Sequence, residues 1–163
     1  MSKYIGVKMI DATETICCNK EFFSKEEDAM KYRSDVFNKT GKVYDIEKGY
    51  KVVYPDGYVS FSPKETFEKA YFKIADNKGE MLKPEDIDNF IASDISVKVG
   101  KKTTNTTLTC LTGYEVHGQA SCVKEENFDL TVGAKFSTPK AKDQIWSCLG
   151  FVLQWAKYGI KKD

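Results

Sequence analysis

The sequence predicts an α+β fold made of two small halves, each an antiparallel hairpin or sheet packed by one or two helices. Three observations predict it. Two hairpin signatures stand far apart, one around Pro55-Asp56-Gly57 and one around Gly113. Helix-start signatures alternate with them. A polar, glycine-containing stretch, Asp76-Asn77-Lys78-Gly79-Glu80, separates the two sets and reads as a linker. The expected organisation is a first half over residues 1–75, a linker over 76–84 and a second half over 85–163.

Residues 4–10 alternate apolar with small or polar side chains, the period of a strand. A second strand is expected over residues 15–23. Ser24-Lys25-Glu26-Glu27 has the form of a capping box, and Ala29, Met30, Arg33, Val36 and Phe37 recur behind it at helical spacing until Thr40-Gly41. Residues 49–54 and 58–61 read as strands joined at Pro55-Asp56-Gly57, where Pro fixes φ, Asp tolerates the second corner and Gly takes a positive φ. Ser62-Pro63-Lys64-Glu65 then places an N-cap, a proline at the first helical position and a glutamate at the third. Phe67, Ala70, Tyr71 and Ile74 give that helix its apolar stripe.

In the second half, Lys83-Pro84-Glu85 opens a short helix expected to run to Ile91. Residues 95–99 form a strand with Ile95, Val97 and Val99 on one face. Residues 106–112 and 114–123 pair around Gly113. In the second of these strands Tyr114, Val116, Gly118, Ala120 and Cys122 share one face, and Glu115, His117, Gln119 and Ser121 share the other. Thr138-Pro139 is expected to start the last helix, whose Ile145, Trp146, Leu149, Val152, Leu153 and Ala156 should cover the sheet.

Composition narrows the function. The chain has 163 residues, 41% apolar and 13% aromatic, enough for a real core. With 25 basic and 24 acidic residues the net charge is +1, so no global field draws it to nucleic acid or an anionic membrane. Arg33 is the only arginine, which nearly removes bidentate phosphate recognition from a single subunit. No apolar run approaches membrane-spanning length and no signal-peptide core follows Met1. The chain is therefore expected in the cytoplasm. Cys17, Cys18, Cys110, Cys122 and Cys148 show no C-x-x-C spacing, and His117 is the only histidine, so neither a metal site nor a cofactor is expected.

Candidate binding residues follow from side-chain type. Tyr54, Asp56 and Tyr58 sit at the first hairpin, inside a cluster with Tyr50, Phe61, Phe67, Tyr71 and Phe72. Aromatic rings can stack nucleobases, and Lys51, Lys64, Lys69 and Lys73 could meet phosphates. The same rings read more simply as core and cross-strand pairs. Glu115, His117 and Gln119 form a polar strand face. His117 is the one group that titrates naturally near neutrality, but no nucleophile motif accompanies it, so an enzyme is not expected. Cys17 and Cys18 are adjacent in a strand and point to opposite faces, which suits structure better than redox or metal chemistry. Asp86, Asp88 and Asp94 lack metal-loop spacing and read as helix-start and surface charges. Trp146 and Trp155 lie nine residues apart, about 180° around a helix. Trp146 falls on the apolar stripe, leaving Trp155 as the interface candidate.

The residues Leu111-Thr112-Gly113-Tyr114-Glu115-Val116-His117-Gly118-Gln119-Ala120-Ser121-Cys122-Val123, then Glu126-Asn127-Phe128-Asp129, Gly133, Ala141, Ile145-Trp146, Leu149 and Leu153 closely resemble a phage family named after gene products 49 and 66 of two tailed phages. That family usually has Trp-Pro-Leu where this chain has Trp146-Ser147-Cys148-Leu149, so its last helix should be less kinked here. Lys3-Tyr4-Ile5-Gly6-Val7-Lys8, the stretch from Gly49 to Ser60, and Ser62-Pro63-Lys64-Glu65 with Phe67 and Tyr71 look like a module found in many prophage proteins. Some of its fusion partners resemble sponges for nucleotide immune signals. The resemblance implies a phage or prophage accessory protein working in an infected or lysogenic bacterial host. It would act against host defence by non-catalytic binding of a cyclic nucleotide signal, as a homo-oligomer. The alternatives are a protein–protein inhibitor of a host defence enzyme or nuclease, or a virion accessory protein.

Overall fold

The computed structural model describes residues 1–161. The fold is α+β, with one four-stranded and one three-stranded antiparallel sheet. Two compact units are formed. One is Lys8–Lys73; the other holds the residues from Ile74 onward together with Met1–Val7.

The Lys8–Lys73 unit runs β1 (Asp11–Cys18), β2 (Glu21–Phe23), α1 (Glu26–Thr40), β3 (Ile46–Val53), β4 (Val59–Pro63) and α2 (Lys64–Ala70), with strand order β2-β1-β3-β4. Three expectations are corrected. The strand expected over residues 4–10 starts only at Asp11. A strand needs a partner, and β3 ends at Val53, opposite Asp11, so the earlier residues have no ladder to join. Tyr4 and Ile5 are accordingly exposed. The strand expected over 15–23 is interrupted at Asn19 and Lys20, both at positive φ, which turn β1 back into β2. Both serine caps fail. Lys25 and Pro63 occupy the N-cap positions without side-chain caps, and Ser62 pairs with Tyr50 as part of β4.

Tyr50 stacks on Phe67 at 4.0 Å between ring centroids, and Phe67 on Tyr71 at 4.8 Å. Gly49 is required beside them: a Cβ there would overlap Ser62 O and stand 2.8 Å from the Phe61 ring. Buried Cys18, Ala29, Val52 and Phe67 complete the interior.

The second unit runs α3 (Pro84–Asn89), β5 (Ile91–Val99), β6 (Thr103–Cys110), β7 (Glu115–Ser121), a 3₁₀ turn (Glu125–Asn127) and α4 (Leu130–Tyr158), with strand order β5-β6-β7. Asp86 is buried rather than a surface charge. Its carboxylate accepts from the backbone N–H groups of Lys83 and Ala75, each at 2.7 Å, and so ties the chain ahead of α3 to that helix. Asp76 does the same for its own turn, accepting from Glu80 and Met81.

The last helix does not start at Pro139. It starts at Leu130, capped by the Asp129 carboxylate on Val132 N–H, and Pro139 lies inside it. Pro139 costs that helix one backbone hydrogen bond, which the packing below offsets. Ser137, Ala141, Ile145 and Leu149 are the buried stripe, at four-residue steps. With Ile87, Leu108, Cys110 and Val116 the apolar members form the core, and Trp146 packs at its margin as expected. Val152, expected on the sheet, is exposed, because burial ends at Leu149.

Along β6, Thr104, Thr106, Leu108 and Cys110 are buried under α4 and the intervening residues face away. Two glycines set how close the helix comes. A Cβ on Gly118 would overlap Ser137 O and stand 2.7 Å from Ala141 N; one on Gly133 would overlap Thr104 Oγ1. Gly118→Ala should therefore destabilise the protein by about 3 kcal/mol or more, since two backbones must separate. Gly150→Ala, at a helical position with open space around it, should stabilise by about 0.5–1 kcal/mol. Urea unfolding of both variants checks the contrast.

The Tyr50 hydroxyl lies between the Glu14 and Glu68 carboxylates at 3.2 and 3.1 Å. Loss of hydration, with these two acceptors, pushes its pKa from 10.0 up to about 12. The folded phenol thus holds its proton more tightly than the unfolded one. Its contribution to stability is complete below pH 10 and is lost as pH rises toward 12. Tyr50→Phe should flatten that alkaline decline, read as a narrowing gap between wild-type and variant urea midpoints as pH rises through this window.

Candidate functional site

The first hairpin turns as expected. Gly57 has φ 83°, its N–H bonds Tyr54 O, and Tyr54 N–H bonds Tyr58 O. The Asp56 carboxylate accepts from Tyr58 N–H at 3.0 Å and so holds its own turn. The Tyr54 and Tyr58 rings lie 5.8 Å apart, and Lys8 sits 5.7 Å over the Tyr54 ring. Tyr54 is half-buried and Tyr58 is exposed. Most of the cluster stacks on itself. Of its lysines, Lys51 lies over the Phe22 ring and Lys64 pairs with Glu68.

Glu115, His117 and Gln119 all lie on the exposed face of β7, away from α4. There they join a polar ladder with β6. His117 Nδ1 lies 2.9 Å from Thr107 Oγ1, Gln119 Nε2 donates to Asn105 Oδ1 at 3.2 Å, and Ser121 meets Thr103 at 2.8 Å. These three residues and the hairpin residues belong to different units. Trp155 is half-buried, with its ring 6.1 Å from exposed Phe151.

Cys17 and Cys18 do point to opposite sides, one half-buried and the other fully buried. Burial pushes the thiols of Cys17, Cys18 and Cys110 up, away from the reactive thiolate. Among the described residues, no group of three or more His, Cys, Asp or Glu side chains is placed to hold a metal ion. Among the described residues, no helix is long and apolar enough to cross a membrane.

A concave site lies elsewhere, at the head of α4. A cleft of about 420 Å³ opens where the first turns of the helix meet the ends of β6 and β7. Its apolar walls are Phe128, Val132, Phe136 and Ala120, and its polar edge carries Lys102, Lys140, Ser121 and Asn127. Phe136 is 64% exposed, a ring presented to solvent without cover. Lys140 Nζ donates to Gln119 O at 2.8 Å and Lys102 Nζ to Val123 O at 3.3 Å. An ammonium has three donors, so each keeps two for a ligand. Among the described residues neither lysine pairs with a carboxylate, whereas Asp129, the acid in the wall, is committed to capping α4. Outside the lining, Lys98 lies 4.5 Å over the Phe128 ring.

A helix start at Pro139, as the sequence suggests, hides this cleft. A start at Leu130, after the Asp129 cap, puts Val132, Phe136 and Lys140 at four-residue steps on one helix face. That spacing was the available signal.

Residues 82–156 match the model of the Phage protein (N4 Gp49/phage Sf6 gene 66) family. The match runs from just before α3 into the last turns of α4 and contains every residue of the cleft. It identifies the C-terminal half as that of a phage or prophage protein. No curated protein and no solved structure matches the chain.

Proposed function

We propose that this phage or prophage protein is an accessory factor that counters host defence by binding without catalysis, and that it sequesters a nucleotide immune signal. The observation that carries this proposal is the cleft at the head of α4. A nucleotide combines a flat aromatic base with anionic phosphates. Phe128 and Phe136 offer stacking surface, worth about 1–3 kcal/mol per base in single-strand binders. Lys102 and Lys140 offer donors not neutralised by a carboxylate. The volume suits a small ligand, since such sites typically occupy about 300–1,000 Å³. The N-terminal half resembles a prophage module some of whose fusion partners resemble nucleotide sponges, which supports the same reading. Tyr54, Asp56 and Tyr58, and the face of Glu115, His117 and Gln119, are secondary candidates, because much of their hydrogen-bonding capacity serves their own turn and ladder.

A second proposal, a protein–protein inhibitor of a host defence enzyme or nuclease or a virion accessory part, draws on the end of α4. Past Leu149 the helix exposes Phe151, Val152 and Tyr158 beside Trp155.

Thermal unfolding with a panel of cyclic oligonucleotides and cyclic ADP-ribose isomers tests the first proposal. A ligand at about a hundred times its Kd should add roughly 2.7 kcal/mol. Lys102→Glu and Lys140→Glu should abolish the shift, and Lys78→Glu, in the Asp76 turn, should keep it. No shift across the panel removes nucleotide sequestration. Retention of one stoichiometric host protein by the wild type, but not by a Phe151→Ser variant, would then support the second.

A further inference from the structure

We infer that β5 is the surface at which two copies of this chain pair, edge to edge and antiparallel, about a twofold axis at Ser96. The inference rests on β5 itself and does not depend on what the cleft holds.

β5 is an edge strand, hydrogen-bonded only to β6 among the described residues. Its far side therefore carries backbone N–H and C=O groups with no ladder partner, a template for another strand. A bulge interrupts pairing between Ile91 and Ser93, and register is regular from Ser93 to Val99. Natural edges are commonly short or blunted. This one keeps a long regular segment.

Its side chains are arranged oddly for a strand serving only its own copy. Asp94, Ser96 and Lys98 share the face of Leu108, Thr106 and Thr104, which is the side α4 covers. Ile95, Val97 and Val99 point to the open side and are 60%, 42% and 48% exposed. Within this unit, no helix or strand among the described residues lies over that apolar stripe.

Pairing about Ser96 resolves both features. Residues equally spaced from Ser96 then face one another, so Ile95 meets Val97 of the second copy, twice by symmetry. On the other face Asp94 meets Lys98 of the second copy, also twice. Opposite charges directly across an antiparallel pair are favourable and like charges are not. Among the described residues Asp94 has no ion-pair partner in its own copy, and Lys98 lies only over the Phe128 ring. Neighbouring registers lose the match. An axis at Ile95 puts Asp94 opposite Ser96, one at Val97 puts it opposite Gly100, and axes at Asp94 or Lys98 set like charges together. β7, the other edge, offers Glu115, His117, Gln119 and Ser121 on its open side instead of an apolar stripe. The product is a six-stranded antiparallel sheet with both α4 helices on one face and one merged Ile/Val patch on the other.

Sedimentation velocity of the full chain across the micromolar range tests this. The wild type should show a reversible monomer–dimer equilibrium. Asp94→Lys and Lys98→Asp alone should each raise the dimer Kd about tenfold, and the double swap should restore it. Val97→Lys, on the open face and clear of α4, should weaken the dimer and leave the thermal midpoint unchanged at concentrations well below the wild-type dimer Kd, where both proteins are monomeric. A wild type that stays monomeric throughout overturns the inference. So does a dimer whose Kd ignores the single charge reversals and Val97→Lys, or one that the double swap fails to restore.

Discussion

The structure of the C-terminal unit depends on how closely α4 lies on β6 and β7. Large side chains at a helix–sheet contact would hold the two layers about 10 Å apart. Here Gly118 and Gly133 let backbone meet backbone and side chain meet backbone instead. At that separation hydroxyls can bridge the layers. Ser96 Oγ meets Thr106 Oγ1 at 2.7 Å, Thr106 meets Ser137 Oγ at 2.5 Å, and Ser137 reaches Gly133 O at 3.0 Å. One proton order satisfies all three, each hydroxyl donating to the next and the last to the carbonyl. Such a chain is stabilising only because it is complete. Thr104 is the contrast. Its Oγ1 is buried against Gly133 with no hydrogen-bond partner among the described residues, a local cost of the same close approach.

The functional features follow from this contact. Because small residues fill the seam at its head, the larger Phe128, Val132 and Phe136 are displaced to its margin and wall a cleft there. Because burial ends at Leu149, the rest of a 29-residue helix carries its apolar side chains past the core. Because α4 covers one face of the three-stranded sheet, the other face of that unit presents a polar ladder on β6 and β7 and an apolar stripe on β5. Binding surfaces thus sit around the core, and the core holds them in place.

What the sequence made legible was local. The Pro55-Asp56-Gly57 and Gly113 turns, the alternation of β7 and the inward position of Trp146 all depend on residues close in the chain, and all are present. What it hid depends on partners far away. Residues 4–10 have strand-like alternation but lie past the end of β3, so pairing overrides pattern. Ser24 and Ser62 look like caps, yet Ser62 is taken by the β3–β4 ladder. Thr138-Pro139 looks like a helix start, but the Asp129 cap and the Gly133–Ser137 seam carry the helix through the proline. Since the cleft stands on those extra turns, the misplaced start concealed it. The pattern of β5 was readable, but which face α4 would cover was not.

The central claim is that α4 begins at Leu130, on the Asp129 cap, and is held against the sheet through Gly133 and Ser137. Amide hydrogen exchange over residues 134–138 tests it most directly. These amides precede Pro139 and are neither loop nor frayed end if the claim holds. Their exchange should be slowed together with that of Ala141–Leu149, as one cooperative unit. Rapid exchange up to Thr138, with protection beginning only after Pro139, would contradict it, and the cleft would lose the wall on which its proposed ligand rests.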